Sequence, residues 1–232
     1  MAKTRRWASV LGTAAAVAFV GGPFLAHFRI VPAIAGFGLF ALGGLLGIVT
    51  LVAGIVGAFR RGWGAAATSL GLGGLISAIF VLVAIPGRRV PPINDITTDT
   101  ANPPQFVKAG SLPANQGRDM AYPGTSFAEQ QRAGYPDLAP LTLSVPPDEA
   151  FQLVQAAAKQ MPDWEVTRVD ASARALEGIA TSRLFRFQDD FVIEVRPHDG
   201  GSVIEMRSKS RNGKGDVGAN AARINSVFGK LK

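Results

Sequence analysis

Arg207, Ser208, Ser210, Arg211, Asp216, Asn220 and Arg223 crowd into one short stretch, with Gly213 and Gly215 in the middle of it. The run passes from the end of a strand-like segment, across a glycine-rich turn, to the start of a helical one. Unpaired N–H groups at a helix start favour an anion, and guanidinium groups on either side can clamp a phosphate or lipid headgroup through charge-assisted hydrogen bonds. An anion or a partner protein is therefore the expected ligand of this stretch. Asp216 works against the anion, because its carboxylate is placed to accept from the same N–H groups and to repel negative charge. The competing expectation is architectural: Asp216 caps the helix, and the arginines brace the segments around it.

Other chemistry has less to draw on. Asp189 and Asp190 are adjacent, hence on opposite faces of a strand or together in a turn, and do not converge as an acid–base pair. A turn before the following strand is the expected setting. His198 lies in a His-Asp-Gly-Gly hairpin connection, and His27 at the boundary of an apolar stretch; neither has an orienting partner in the sequence around it. The absence of cysteine removes disulfides, thiol nucleophiles and sulfur ligation of zinc or iron–sulfur clusters. No Gly-x-Ser-x-Gly or phosphate-loop pattern occurs. No catalytic residue, metal ligand set or cofactor is assigned.

These residues need a frame to hold them. Leu141–Val145 reads as a short strand, and Pro146–Gln160 as a helix with Phe151, Val154, Ala158 and Met161 on one face and proline in its first turn. Strand-like runs follow at Trp164–Val169, Ala175–Ser182, Asp190–Arg196 and Ser202–Ser208. Asp216 then opens a helix with Val217, Ala221, Ile224, Phe228 and Leu231 in line. The order β-α-β-β-β-β-α with short connections predicts an antiparallel sheet with two helices on one face, a two-layer α+β sandwich over residues 141–232. In the last hairpin, a Gly200-Gly201 turn sets Glu194 opposite Arg207 and Arg196 opposite Glu205. An Asp199-Gly200 turn instead opposes Glu194 and Glu205. Charge favours the first turn, which puts Ile193, Val195 and Met206 under the helices and leaves a Glu/Arg ladder as a solvated or docking face.

Ahead of the sandwich, residues 90–140 hold prolines at 91, 92, 103, 104, 113, 123, 136 and 140, which exclude long helices and central strands. Ile93, Phe106, Tyr122, Phe127 and Tyr135 predict a linker that lies extended along the domain. Residues 1–89 differ in kind. No Asp or Glu precedes Asp95, and the stretches Trp7–Ala26, Ile30–Phe59 and Gly62–Gly87 carry no charge. Each reaches the roughly 20 residues that a hydrocarbon core about 30 Å thick requires, so they predict an anchor of three transmembrane helices. A cleaved signal peptide is the competing reading of the first, but its apolar run exceeds the usual core of about 7–15 residues.

Lys3, Arg5, Arg6, Arg60 and Arg61 on one side outnumber Arg29, Arg88 and Arg89 on the other. This predicts a cytoplasmic N-terminus in the inner membrane, with everything after Arg89 extracytoplasmic. In the second helix Gly36, Gly43, Gly47, Thr50, Gly54 and Gly57 fall on one line, with Leu51 on the lipid side; Gly64, Thr68, Gly71 and Ala78 repeat the stripe in the third. Small residues let helix backbones approach closely, within the anchor, in a homo-oligomer or against a larger membrane complex. No ionisable side chain lies inside a span to serve a proton relay or voltage sensor. The formal net charge of +7 belongs to the helix flanks: residues 90–232 carry 16 Lys and Arg against all 17 acidic residues, which leaves nucleic acid out as a partner.

The run Pro91-Pro92-Ile93-Asn94-Asp95-Ile96-Thr97-Thr98-Asp99, then Asn102-Pro103-Pro104-Gln105-Phe106, Tyr135-Pro136-Asp137-Leu138, Asp189-Asp190 and the closing Arg207 to Ile224 segment resemble the uncharacterised family named domain of unknown function 1499, from about residue 91 to 231. The resemblance implies a domain of bacteria and plastids that often follows membrane helices, and it implies no activity. The expected function is that of a membrane-anchored, non-catalytic interaction or accessory module, a subunit or assembly factor of a membrane complex. The alternatives are a binder of lipid or apolar ligands between helices and sheet, and an enzyme of unrecognised type. Membrane lipid is the partner that the composition itself requires, and a membrane-protein complex or a second copy of the chain is the expected protein partner.

Overall fold

A computed structural model describes residues 2–87 and 89–232; Arg88, counted above among the flanking charges, lies outside them. The chain forms two compact units, Met1–Gly87 with Arg183–Arg186, and Arg88–Ser182 with Phe187–Lys232.

In the first unit, helices α1 (Ala2–His27), α2 (Ala33–Arg61) and α3 (Trp63–Gly87) take up the three apolar stretches. All three are long and apolar enough to cross a membrane. Glycine sets how they pack. A Cβ added at Gly36 or Gly43 would collide with the α1 backbone at Gly22 or Phe19, and one at Gly47 or Gly54 would meet Ile76 or Leu70 of α3. The α2 stripe therefore occupies the seam between both neighbours. Thr50 within it is fully buried and donates its hydroxyl to the Leu46 carbonyl (2.8 Å), and Gly57 is buried too. Leu51 is not on the lipid side as expected: Gly73 of α3 closes on its backbone, because the α2–α3 seam is wide enough to reach it. Val49 and Val52 are the exposed side chains there. The α3 stripe points outward, with open space at Gly64 and Gly71 and with Thr68 and Ala78 exposed.

In the second unit, strands β1 (Asp95–Thr97), β2 (Leu141–Leu143), β3 (Trp164–Asp170), β4 (Ala175–Thr181), β5 (Gln188–His198) and β6 (Gly201–Ser210) form one antiparallel sheet. Its order is β1-β6-β5-β4-β3, with β2 also on β6. The outer edge of β6 is shared, Thr97 to Asp95 taking residues 207–209 and β2 taking 202–204. Helix α4 (Thr125–Gly134) blocks the far side of β1: the Gln131 amide both donates to the Thr97 carbonyl and accepts from its N–H. A short, plugged edge of this kind resists pairing with other chains. Phe151 and Val154 of α5 (Pro147–Gln160) and Ile224 and Phe228 of α6 (Ala219–Leu231) close over Phe191, Ile193, Val195, Ile204 and Met206. Each such fully buried aliphatic side chain contributes about 1.5–3 kcal/mol. This is the predicted α+β layout. Gly178 leaves room for the Phe191 ring, on which Trp164 lies at 4.0 Å between centroids.

Three expectations fail here. The last hairpin turns at Asp199-Gly200, so His198 pairs with Gly201 and Glu194 stands opposite Glu205. Both turn residues have positive φ (43° and 79°), the backbone that two-residue hairpins favour. The like-charge pair is tolerated because Arg196, one diagonal step away, pairs with Glu205. This register also matches Ile193 with Met206 and Val195 with Ile204, all buried, so the expected core face survives a different pairing. The opposite face is no solvated ladder, since Arg207 is fully buried. Residues 90–140, expected to lie extended along the domain, pass over that face folded as β1, two short 3-10 turns and α4. Asp189 and Asp190, expected in a turn, lie inside β5 and point to opposite faces, each toward its own cations.

Candidate functional site

Successive strand residues point to opposite faces, and this divides the expected constellation in two. Ser208 and Ser210 face the helices. Ser208 donates to the Asn220 side-chain carbonyl (2.8 Å) and accepts from Arg223 (2.8 Å), whose other nitrogen reaches Asp189 (2.5 Å). The Asn220 amide donates to Ser210 Oγ (2.9 Å). Asp216 accepts from the N–H groups of Gly218 and Asn220, both at 2.8 Å. These are the donors an anion would need. Between the two bonds the chain is left-handed at Val217 (φ 57°) and Gly218 (φ 85°). A β-branched residue there carries strain of about 1–3 kcal/mol, held in place by the carboxylate that spans it. Val217, expected on the buried face of α6, is consequently outside the helix and exposed.

Arg207 and Arg211 face the other way. Arg207 gives Asp95 two parallel bonds of 2.8 Å, donates to the Pro104 and Met120 carbonyls, and lies against the rings of Phe106 and Tyr122 (4.8 and 5.5 Å). Lys209 adds a third cationic bond to Asp95 (2.7 Å). Arg211 holds Asp190 with two bonds (3.0 and 2.6 Å), and Asn115 donates to the same carboxylate (2.9 Å). Glu177, fully buried, accepts from the N–H groups of Val107, Lys108 and Ala109 and from Arg168. The whole layer is a clasp. It fastens residues 94–122 onto the sheet through charges that are costly to bury unless paired.

The clasp opens at Asp95 and α6 closes at Leu231, and the family of proteins of unknown function DUF1499 matches residues 95–231. The chain belongs to the DUF1499 family. No curated protein matches it. The matched span agrees with the resemblance carried by the Pro91–Asp99 and Arg207–Ile224 motifs, and it begins after the three apolar helices.

Within the DUF1499 domain, sequence reasoning missed Asp95, Asn115 and Glu177. Asp95 stands within the Pro91–Asp99 motif, whereas Asn115 and Glu177 show only as polar residues where a Pro-rich stretch or an alternating strand gives no reason for burial. Tyr122 and Tyr135 have buried hydroxyls without a hydrogen-bond partner among the described residues. Burial, with Asp95 and Asp216 respectively adding to it, pushes their pKa values up to about 12, so both stay protonated. Tyr122 also lines a cleft of about 530 Å³ with Thr100, Pro103, Gln105, Thr125 and Arg132.

Burial raises the pKa of Asp216 above the usual carboxylate range, and Asp189 pushes the same way, against the pull of its two N–H bonds. A raised folded-state pKa means the folded protein binds the proton more tightly than the unfolded one. The cost is absent below the ordinary Asp pKa and complete once pH exceeds the folded value. Thermal melts of Asp216→Asn alongside the parent protein are expected to show the variant gaining relative to the parent as pH rises from 4 to 7. A constant difference would remove the desolvation account.

Proposed function

We propose that this chain is a membrane-anchored, non-catalytic interaction or accessory module of a membrane complex. Its DUF1499 domain stands on the extracytoplasmic side of the cytoplasmic membrane, and the N-terminus is inside. The observation that carries the reading is the clasp. Acid–base catalysis needs a carboxylate or base held at a cleft with a proton free to move; here Asp95, Asp189, Asp190 and Glu177 are each closed by arginines or backbone N–H groups. Charge committed in this way stiffens a surface for recognition. The outward stripe of Gly64, Thr68, Gly71 and Ala78 suits a further transmembrane helix, from a second copy or another subunit.

Purification of the full chain in mild detergent is expected to retain a protein partner, or a second copy, in fixed stoichiometry. Gly71→Leu should release it, because that position faces open space and the substitution leaves the three-helix packing untouched. A lone chain with no partner, or turnover of a substrate by the purified protein, would overturn the reading. For orientation, reporter fusions after Arg89 are expected to be active only outside the cytoplasm; cytoplasmic activity there reverses the topology.

Lipid or apolar-ligand binding is the second reading, and the cleft favours it. Its Arg132 and Thr100 pair across one wall (3.1 Å), and no acidic side chain lines it. A bound lipid in fixed stoichiometry would move the function there. The space between α5, α6 and the sheet, where such a ligand was expected, is filled by the core.

A further inference from the structure

The residues between β4 and β5 that read Arg183-Leu184-Phe185-Arg186 belong to the helical unit. Phe185 meets Phe37 edge-on (5.4 Å, 81°) and Phe40 likewise (5.5 Å, 67°). It thereby joins the cluster of Ala15, Phe19, Phe40 and Ile76, against which Phe80 also packs. The Nδ1–H of His27, at the end of α1, donates to the Arg183 carbonyl (2.9 Å), so one backbone acceptor of the tip is satisfied by the anchor itself. Depth follows from the helices. Phe40 lies seven residues into α2 and Phe80 seven before the end of α3, which at 1.5 Å rise puts this cluster about 10 Å inside both ends. Leu184, next to Phe185, is nonetheless 54% exposed.

Leu184 joins Arg183, held at the end of α1, to Phe185 in that cluster, and an exposed leucine in this outer part of a membrane-spanning bundle faces lipid rather than bulk water. Non-helical backbone is tolerated inside a bundle where protein covers it and its polar groups are met; the aromatic cluster covers Phe185, and His27 meets the Arg183 carbonyl. We infer that residues 184–185 form a re-entrant tip of the anchor, with Leu184 in direct contact with the lipid of the leaflet into which α3 emerges. The occupant is the same lipid that surrounds α1–α3. The inference rests on those helices spanning a membrane and not on the interaction-module reading, so a missing protein partner leaves it standing.

The chain has no cysteine, so a single introduced thiol reports alone. Full-length Leu184→Cys and Val217→Cys, the latter at an exposed turn of the DUF1499 domain, are reconstituted in phosphatidylcholine vesicles. Leu184→Cys is expected to react with a membrane-impermeant maleimide about tenfold more slowly than Val217→Cys. A bimane carried at 184 should be quenched by brominated acyl chains, and one at 217 should not. Equal reaction rates would overturn the inference. So would a protected thiol that brominated lipid fails to quench, since Leu184 would then be covered by protein.

Discussion

Asp95→Ala is expected to unfasten the DUF1499 domain, at a cost of about 3–5 kcal/mol. Arg207 is fully buried and Lys209 is 7% exposed, and Asp95 is the carboxylate that both of them reach. Removing it leaves a guanidinium and an ammonium group side by side in the interior, a far worse state than the loss of two hydrogen bonds. The segment held by the clasp should then detach first, so trypsin is expected to cut at Lys108 and Arg118 well before the rest of the domain. Replacing the charges together, as Asp95→Leu with Arg207→Met and Lys209→Met, should recover much of the loss, because apolar groups of similar volume often match a buried ion pair. If Asp95→Ala melts within about 1 kcal/mol of the parent, other contacts hold the segment and the clasp is ornamental.

Gly43→Leu is expected to be the most damaging change in the anchor. The first added carbon already collides with the Phe19 backbone and the Ala15 carbonyl, so α1 has to move away along its length. Overpacking commonly costs about 1–3 kcal/mol and more where backbone is the obstacle. Size-exclusion profiles in mild detergent should show the monodisperse fraction of Gly43→Leu collapsing, while Val52→Leu, on the exposed side of α2, stays with the parent. Equal tolerance at both positions would mean that α1 and α2 do not meet through this glycine.

Much of this architecture was legible because its signals are local. Twenty apolar residues announce a span wherever they lie, and the periods of α5, α6 and β3 to β6 need only their own neighbours. The parts that escaped depend on distant chain. Strand β1 has three residues and no periodicity, and it becomes a strand only because β6 offers an edge. Directly opposed charges do not set the hairpin register; the diagonal Arg196 and the φ preferences of Asp199-Gly200 decide it. The candidate constellation looks like one patch along the chain, yet alternation along β6 requires Arg207 and Ser208 to part. What the sequence of Asp189-Asp190 could not reveal is that both faces of β5 carry cations to receive them, Arg223 from α6 on one side and Arg211 on the other.

The place of β6 has a consequence for how the protein is made. This strand pairs with β1, β2 and β5, yet it is the last strand to be synthesised, and Asp95 waits for an Arg207 that is 112 residues away. At about 5–20 residues per second, that interval is on the order of ten seconds. Until it ends, the emerging chain holds an unmatched carboxylate, β1 and β2 lack a partner, and β5 is paired on its β4 side alone. Contacts of such long range also make the closing step slow. A chain that stops short of Gly201 keeps its three apolar helices but leaves β1, β2 and one edge of β5 without the strand that joins them, and proteases should remove its incomplete domain.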